Sequence, residues 1–223
     1  MNTPKDLRTP AFILRRTNYG EADRILNLIT PHGKISAIAK GVRKEKSKLA
    51  GGIEMFSLSE LNIHLGKTDL GTITSARITT YYSDIITSLD RLELGSKILK
   101  TISRSAENVD SPDFFNLTRD SLSALNNHLS LTLVETWFAL NLNKISGTEL
   151  NLYRDASGEK LSKDANYAYD FAENAFVANP AGEYGANEIK LLRLMQTNPI
   201  SLVSRVKNLD TYLPKLQALV SNL

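Results

Sequence analysis

Hydrophobic and polar residues alternate with a period of about two between residues 11 and 80, a pattern that predicts β-strands. In the run 55–65, for example, Ser57 and Ser59 alternate with Phe56 and Leu58. Further runs of this kind lie at 12–16, 24–30, 34–40 and 71–78, separated by turn-forming residues at 18–21, 31–33, 51–52 and 66–69. Five short strands are the strand count of an OB-fold barrel. An SH3-like barrel would fit the same count.

Beyond residue 81 the hydrophobic period lengthens to about 3.6, which predicts helices. The first apolar stripe, from Ile85 to Ile102, indicates one or two helices broken near Gly95. A proline after Ser111 favours a helix start there. Further helices are predicted at 113–125, 129–145, 186–196 and 209–223.

The helical period is lost between residues 151 and 180, where Tyr167, Tyr169 and Phe171 alternate with polar or small residues and predict a short hairpin. We therefore predict an α+β protein. A five-stranded OB-fold barrel would occupy residues 1–80, and a mainly helical domain with this irregular insertion would occupy residues 81–223.

Composition narrows the chemistry that the chain can perform. Its 223 residues include 42% hydrophobic and 23% charged residues, as expected for a folded chain. The absence of cysteine excludes disulfides, thiol catalysis, iron–sulfur clusters and cysteine-ligated zinc. The most apolar stretch, 131–142, contains Glu135 and is too short to span a membrane. With no secretory pattern near the start, we expect a soluble cytoplasmic protein.

Positive charge is concentrated in the first part of the chain. Residues 1–80 contain 13 basic and 7 acidic residues, whereas the remainder contains 14 basic and 17 acidic residues. Five cations between residues 40 and 48 are opposed only by Glu45. Such an asymmetry indicates contact with a polyanion, although a solvated loop would show the same composition.

Known catalytic motifs are missing. Gly66-Lys67-Thr68 resembles the end of a phosphate-binding loop, but Leu61 stands where that motif requires glycine, so a hairpin turn fits better. The three histidines lie more than 30 residues apart, and nothing in the sequence gathers them into a metal or catalytic site. Trp137 lies on the apolar face of a predicted helix and is expected in the core. The sequence thus predicts no enzyme.

A small barrel with a basic loop and exposed aromatic rings is a common architecture for binding single-stranded nucleic acid. Tyr19, in the first predicted turn, is the ring best placed for exposure, although rim packing would also explain it. Arg15 and Arg16 are adjacent, so in a strand they point to opposite faces and at most one joins a given patch. No base-reading helix is indicated, and binding should depend on backbone charge and salt.

Six ordered segments resemble the N-terminal domain of the RecO family of recombination mediators. They are FILRR at 12–16, YGEADRIL at 19–26, HGKI at 32–35, AKGVR at 39–43, KSKLAG at 46–51 and MF at 55–56. The resemblance is weaker beyond residue 80 but agrees in kind, because RecO-like proteins follow the barrel with a helical domain.

The resemblance implies a non-catalytic DNA repair protein. RecO-like proteins bind single- and double-stranded DNA and anneal complementary strands. With RecR, and in some cases RecF, they help load RecA onto DNA coated by single-strand-binding protein, and their helical domain binds the C-terminal tail of that protein. The DNA-binding role carries over to the matching positions Arg24, Lys34, Lys40, Arg43, Lys44, Lys46 and Lys48. No residues can be assigned to the tail-binding pocket.

This chain departs from the family in one respect. Many members hold a four-cysteine zinc site within the helical domain, whereas this chain has no cysteine. We predict no zinc, and we expect Tyr167, Tyr169, Phe171 and Phe176 to pack in its place. Two other functions stay open: a barrel that contacts RNA or the ribosome, and a protein–protein adaptor whose helical domain does the binding. A hidden enzyme ranks behind both.

Overall fold

The computed structural model describes residues 5–66, 68–107 and 111–223. These divide into two compact units, one ending at residue 127 and the other beginning at residue 128. The first unit is a barrel followed by two helices. Its strands are β1 (Lys5–Tyr19), β2 (Asp23–Thr30), β3 (Gly33–Ala39), β4 (Ser57–Leu65) and β5 (Leu70–Tyr81). Short 3₁₀ turns lie at Ala50–Gly52 and Ser83–Thr87, and the helices are α1 (Leu89–Ser105) and α2 (Asp113–Asn126).

The barrel closes in the order β1-β2-β3-β5-β4, with β1 also paired to β4. All pairings are antiparallel except that of β3 with β5. This closed five-stranded barrel followed by helices confirms the predicted fold class, an OB-fold barrel followed by a mainly helical part.

Alternation along the strands builds the barrel core. Its interior is filled by side chains such as Ile13, Leu26, Leu28, Leu61 and Ile63, all at most 1% exposed. The opposite face of β1 is also apolar, because α1 and α2 pack on it. There the ring of Phe12 lies 5.3 Å from that of Phe115 and 6.1 Å from that of Tyr82, measured between centroids.

The predicted helix break near Gly95 is wrong, since α1 runs unbroken through this residue. The glycine instead permits close packing. A Cβ atom at Gly95 would lie 2.9 Å from Cε1 of Phe56 and 3.3 Å from Cγ2 of Ile85. Because α1 and α2 pack on the barrel, the first compact unit extends past residue 80. A domain boundary at residue 80 stays a prediction.

The second unit contains α3 (Leu131–Ile145), β6 (Tyr167–Asp170), β7 (Ala175–Ala178), α4 (Ala186–Thr197), α5 (Ile200–Val203) and α6 (Leu209–Val220). Trp137 is 6% exposed, as predicted for a core residue, and its indole Nε1 donates to the carbonyl oxygen of Asn198 at 3.2 Å. The sequence pattern did not predict α5, which has only four residues.

The hairpin of β6 and β7 carries a cluster of aromatic rings. Phe176 is fully buried, and its centroid lies 5.1 Å from that of Tyr169, 5.7 Å from that of Tyr184 and 6.4 Å from that of Tyr167. Phe171 packs on Tyr169 at 5.0 Å. Burial raises the pKa of Tyr169 to about 12. Its hydroxyl donates a hydrogen bond to Oδ1 of Asn174 at 2.6 Å. The four rings singled out in the sequence therefore do pack together.

Candidate nucleic-acid interface

The five clustered cations lie in a loop that follows β3, residues 40–48, called here the basic loop. Two hydrogen bonds from its backbone amides hold it beside the turn between β1 and β2 and the first residue of β2. The amide of Arg43 donates to the carbonyl oxygen of Ala22 at 2.9 Å, and the amide of Gly41 donates to Oδ1 of Asp23 at 2.7 Å. Gly41 adopts a φ of 65°, a conformation that favours glycine. The loop is thus anchored at one end of the barrel.

All five cationic side chains of the basic loop are exposed. They are Lys40, Arg43, Lys44, Lys46 and Lys48. Arg43 makes one long bond, from Nη1 to the carbonyl oxygen of Gly20 at 3.4 Å. Among the described residues, no carboxylate forms an ion pair with any of these cations. Their charge is available to an external anion.

Arg24 lies at the same end of the barrel. It pairs across the sheet with Ala39, next to the start of the basic loop, and its Nε donates to Oδ1 of Asn18 at 3.2 Å. Tyr19 ends β1 in the same region and is 56% exposed, as expected for a ring available to a ligand. The structure therefore brings six of the seven predicted cations together, with an exposed aromatic ring nearby.

Lys34 is separate from this group. It is near the start of β3, six residues or about 20 Å along the strand from Lys40. Its side chain is only 15% exposed, and its ammonium nitrogen donates to the carbonyl oxygen of Ser103 at 2.6 Å and to Glu107 at 3.0 Å. Lys34 thus joins the barrel to the last turn of α1.

A second group of cations, not predicted from the sequence, lies between β1 and α1. Arg15 and Leu14 face Lys100, Ser103 and Arg104 across a cavity of about 320 Å³, called here the β1–α1 cleft. The sequence does carry a signal for it, because Lys97, Lys100 and Arg104 follow the i, i+3, i+7 spacing of one helix face. The pairing of that face with Arg15 depends on the tertiary structure.

Two other cations of the barrel, Arg8 and Arg16, are paired with carboxylates. Arg8 bonds to Glu60, and this hydrogen bond lowers the pKa of the Glu60 carboxyl. Nη1 of Arg16 lies 3.0 Å from Oε2 of Glu54. Within the described ranges, no group of three or more histidine, aspartate or glutamate residues is placed to hold a metal ion. No helix of the described chain is long and apolar enough to cross a membrane.

The strand order and the basic loop define a class of protein, an OB-fold barrel with an appended helical part. Comparison with known proteins identifies the family within that class. The profile described as Recombination protein O N terminal matches residues 1–82, and the profile described as Recombination protein O C terminal matches residues 86–221.

Individual relatives agree over most of the chain. The DNA repair protein RecO of Dehalococcoides mccartyi strain 195 is 32% identical over 215 residues, covering 93% of this chain and 85% of the relative. That of strain CBDB1 is 33% identical with the same coverage. That of Roseiflexus sp. strain RS-1 is 28% identical and covers 90% of this chain and 73% of the relative. The chain belongs to the RecO family of DNA repair proteins, which confirms the resemblance seen in the sequence.

Proposed function

We propose that this protein is a non-catalytic recombination mediator that binds single- and double-stranded DNA through the basic loop. The supporting observation is the set of five exposed cations, anchored at one end of an OB-fold barrel and free of carboxylate partners among the described residues. Arg24 and the exposed ring of Tyr19 extend this surface. Lys34 is expected to support the fold rather than to contact DNA.

Annealing follows from the same charges. Two complementary strands repel each other through their phosphates, and a protein that neutralises both backbones lowers that repulsion. Cations on flexible side chains contact phosphates without reading bases, so binding should depend on salt and hardly on sequence.

Family membership supports the wider role. We propose that the protein helps load RecA onto DNA coated by single-strand-binding protein, together with RecR and in some cases RecF. In this proposal the C-terminal tail of single-strand-binding protein binds the helical part of the chain. DNA binding would also associate the protein with the nucleoid.

We also propose that the protein works without zinc. The rings of Tyr167, Tyr169, Phe171 and Phe176 pack within the segment where other family members are expected to hold the metal. Incubation with excess EDTA followed by gel filtration should leave both the melting temperature and DNA affinity unchanged. A fall in either that added Zn²⁺ reverses would contradict this proposal.

The decisive experiment is binding of the purified protein to a fluorescent single-stranded oligonucleotide across a salt series. If five cations engage one strand, affinity should fall with a log–log slope of roughly −3.5. An affinity that does not change with salt, or an absence of binding near 50 mM salt, would exclude DNA binding by the loop. Either result would favour a protein–protein adaptor. Competition with an RNA oligomer of the same sequence tests the RNA alternative, which a clear preference for RNA would favour.

A further inference from the structure

The outer face of strands β1, β2 and β3 is buried in one row of residues and polar and partly exposed in the next. Cross-strand pairing places Phe12, Ile29 and Lys34 in one row. This row is not accessible to a ligand, because Phe12 and Ile29 are at most 1% exposed and Lys34 is hydrogen-bonded to α1. The next row consists of Arg15, Asn27 and Ser36. It is polar and at least partly exposed, so this half of the face remains open to a ligand.

A β-bulge puts Arg15 on this face. The register of β1 against β2 shifts between Ile13 and Arg15, with Leu14 as the additional residue. Ile13 pairs with Leu28 and points into the core, so without the bulge Arg15 would also point inward. With the bulge, Arg15 pairs with Asn27 on the outer face. Bulges that redirect a side chain in this way are concentrated near functional sites.

The redirected arginine faces two more cations in the β1–α1 cleft. Lys100 and Arg104 are both exposed on α1, one turn apart. In the portion of the chain that the structure describes, no hydrogen bond or ion pair occupies Arg15, Lys100 or Arg104. Three uncompensated cations that converge on one cavity repel each other, and this repulsion would be relieved by an anion.

The scaffold holds these groups in position. Lys34 ties the barrel to the carbonyl of Ser103, which lines the cleft and precedes Arg104. A second bond from Lys34 engages the carboxylate of Glu107, just beyond the end of α1, at 3.0 Å. A larger cavity of about 510 Å³ is lined by Lys34 together with Asp69 and Glu107, and these two carboxylates make it unsuited to an anion. Of these two cavities, only the β1–α1 cleft has a charge distribution that favours binding of an anion.

We propose that the β1–α1 cleft binds a backbone phosphate of DNA, as a second contact separate from the basic loop. This inference rests on the proposed function, since it assumes that the protein binds DNA. Arg15 and Arg104 supply planar guanidinium groups suited to two phosphate oxygens, and Lys100 adds a point charge. Asn27, which pairs with Arg15 on the adjacent strand, adds a neutral polar group beside these cations.

The test compares three charge-matched variants with the wild type, on a fluorescent 30-nucleotide single strand and on the matching duplex. The variants are R15Q/K100Q/R104Q in the cleft, K44Q/K46Q/K48Q in the basic loop and K163Q/R205Q/K207Q as a control at exposed cations of the second unit. We expect the cleft variant to lose about tenfold or more in affinity at low salt, with a log–log slope flattened by about two. When the cleft and loop substitutions are combined in one protein, their losses in binding free energy should add.

A charge-preserving variant, R15K/R104K, should keep the slope of the wild type. If it loses the slope as the triple variant does, charge is not the property that matters and the proposal fails. If the cleft variant behaves like the control while the loop variant weakens binding, the cleft is not a contact although the proposed function stands. If the wild type itself shows no DNA binding, both proposals fail. A loss on the duplex but not on the single strand would assign the cleft to double-stranded DNA, and the reverse result would assign it to single strands.

Discussion

Nζ of Lys34 lies 2.6 Å from the carbonyl oxygen of Ser103, in the last turn of α1. The last carbonyls of a helix lack partners within the helix, and a lysine at this end satisfies one of them and also interacts favourably with the helix dipole. A residue that the family resemblance assigns to DNA binding is thus engaged in joining a strand to a helix. Lys34 therefore differs from the cations of the basic loop, because its charge is used within the fold whereas theirs is open to a ligand.

We expect Lys34→Met to lower the free energy of unfolding by about 2 kcal/mol, because a charge-assisted hydrogen bond at a largely buried position is lost. DNA affinity at a temperature where the variant is folded should stay near that of the wild type. Urea unfolding and oligonucleotide binding measure the two effects. Lys40→Met is the control, because Lys40 is exposed and should affect binding but not stability. The opposite result, with Lys34→Met weakening DNA binding and leaving stability intact, would return Lys34 to the DNA interface.

Replacement of Lys44, Lys46 and Lys48 by alanine should weaken DNA binding across all sequences. Three lost phosphate contacts should flatten the log–log salt slope by about two. Because all three side chains are exposed, the melting temperature should hardly change. Fluorescence anisotropy across a salt series checks the slope for two unrelated oligonucleotide sequences. An unchanged slope would remove the basic loop from the interface.

Gly95→Ala should destabilise the first unit by up to about 2 kcal/mol. Alanine favours a helix by about 1 kcal/mol over glycine. That gain is outweighed here because the new Cβ would lie 2.9 Å from the Phe56 ring in a packed core. Ser96→Ala, at the next and exposed position of α1, should be neutral or slightly stabilising. Urea unfolding of both variants gives the comparison, and a stabilised Gly95→Ala protein would show that the Phe56 ring can move away without cost.

Stability should decline between about pH 10 and pH 12. Burial raises the pKa of Tyr169 to about 12, above the ordinary value of 10.0. The unfolded chain therefore ionises first as pH rises, and the stabilisation present below pH 10 is lost as pH approaches 12. Unfolding free energies of the wild type and Tyr169→Phe, measured from pH 9 to 11.5, should differ in slope, with the variant declining less. Equal slopes would show that ionisation of Tyr169 does not contribute.

Sequence periodicity determined the elements of this protein to a large extent. A period of two located all five barrel strands, and a period of 3.6 located every helix of eight or more residues, because one face of each element must be buried. Periodicity did not reveal that α1 continues through Gly95. The glycine suits contact with Phe56, a residue 39 positions away, so its role depends on a distant neighbour.

The family and the basic loop were likewise readable from the sequence, because both depend on residues that are close together along the chain. The β1–α1 cleft was not, since it depends on a one-residue bulge that turns Arg15 outward and on the packing of α1 against β1. The role of Lys34 likewise depends on the packing of α1 against the barrel. The sequence of a strand does not show which of its cations a helix will cover, because the helix comes from a distant part of the chain. Only the tertiary structure decides which charges are buried and which stay available to an external anion.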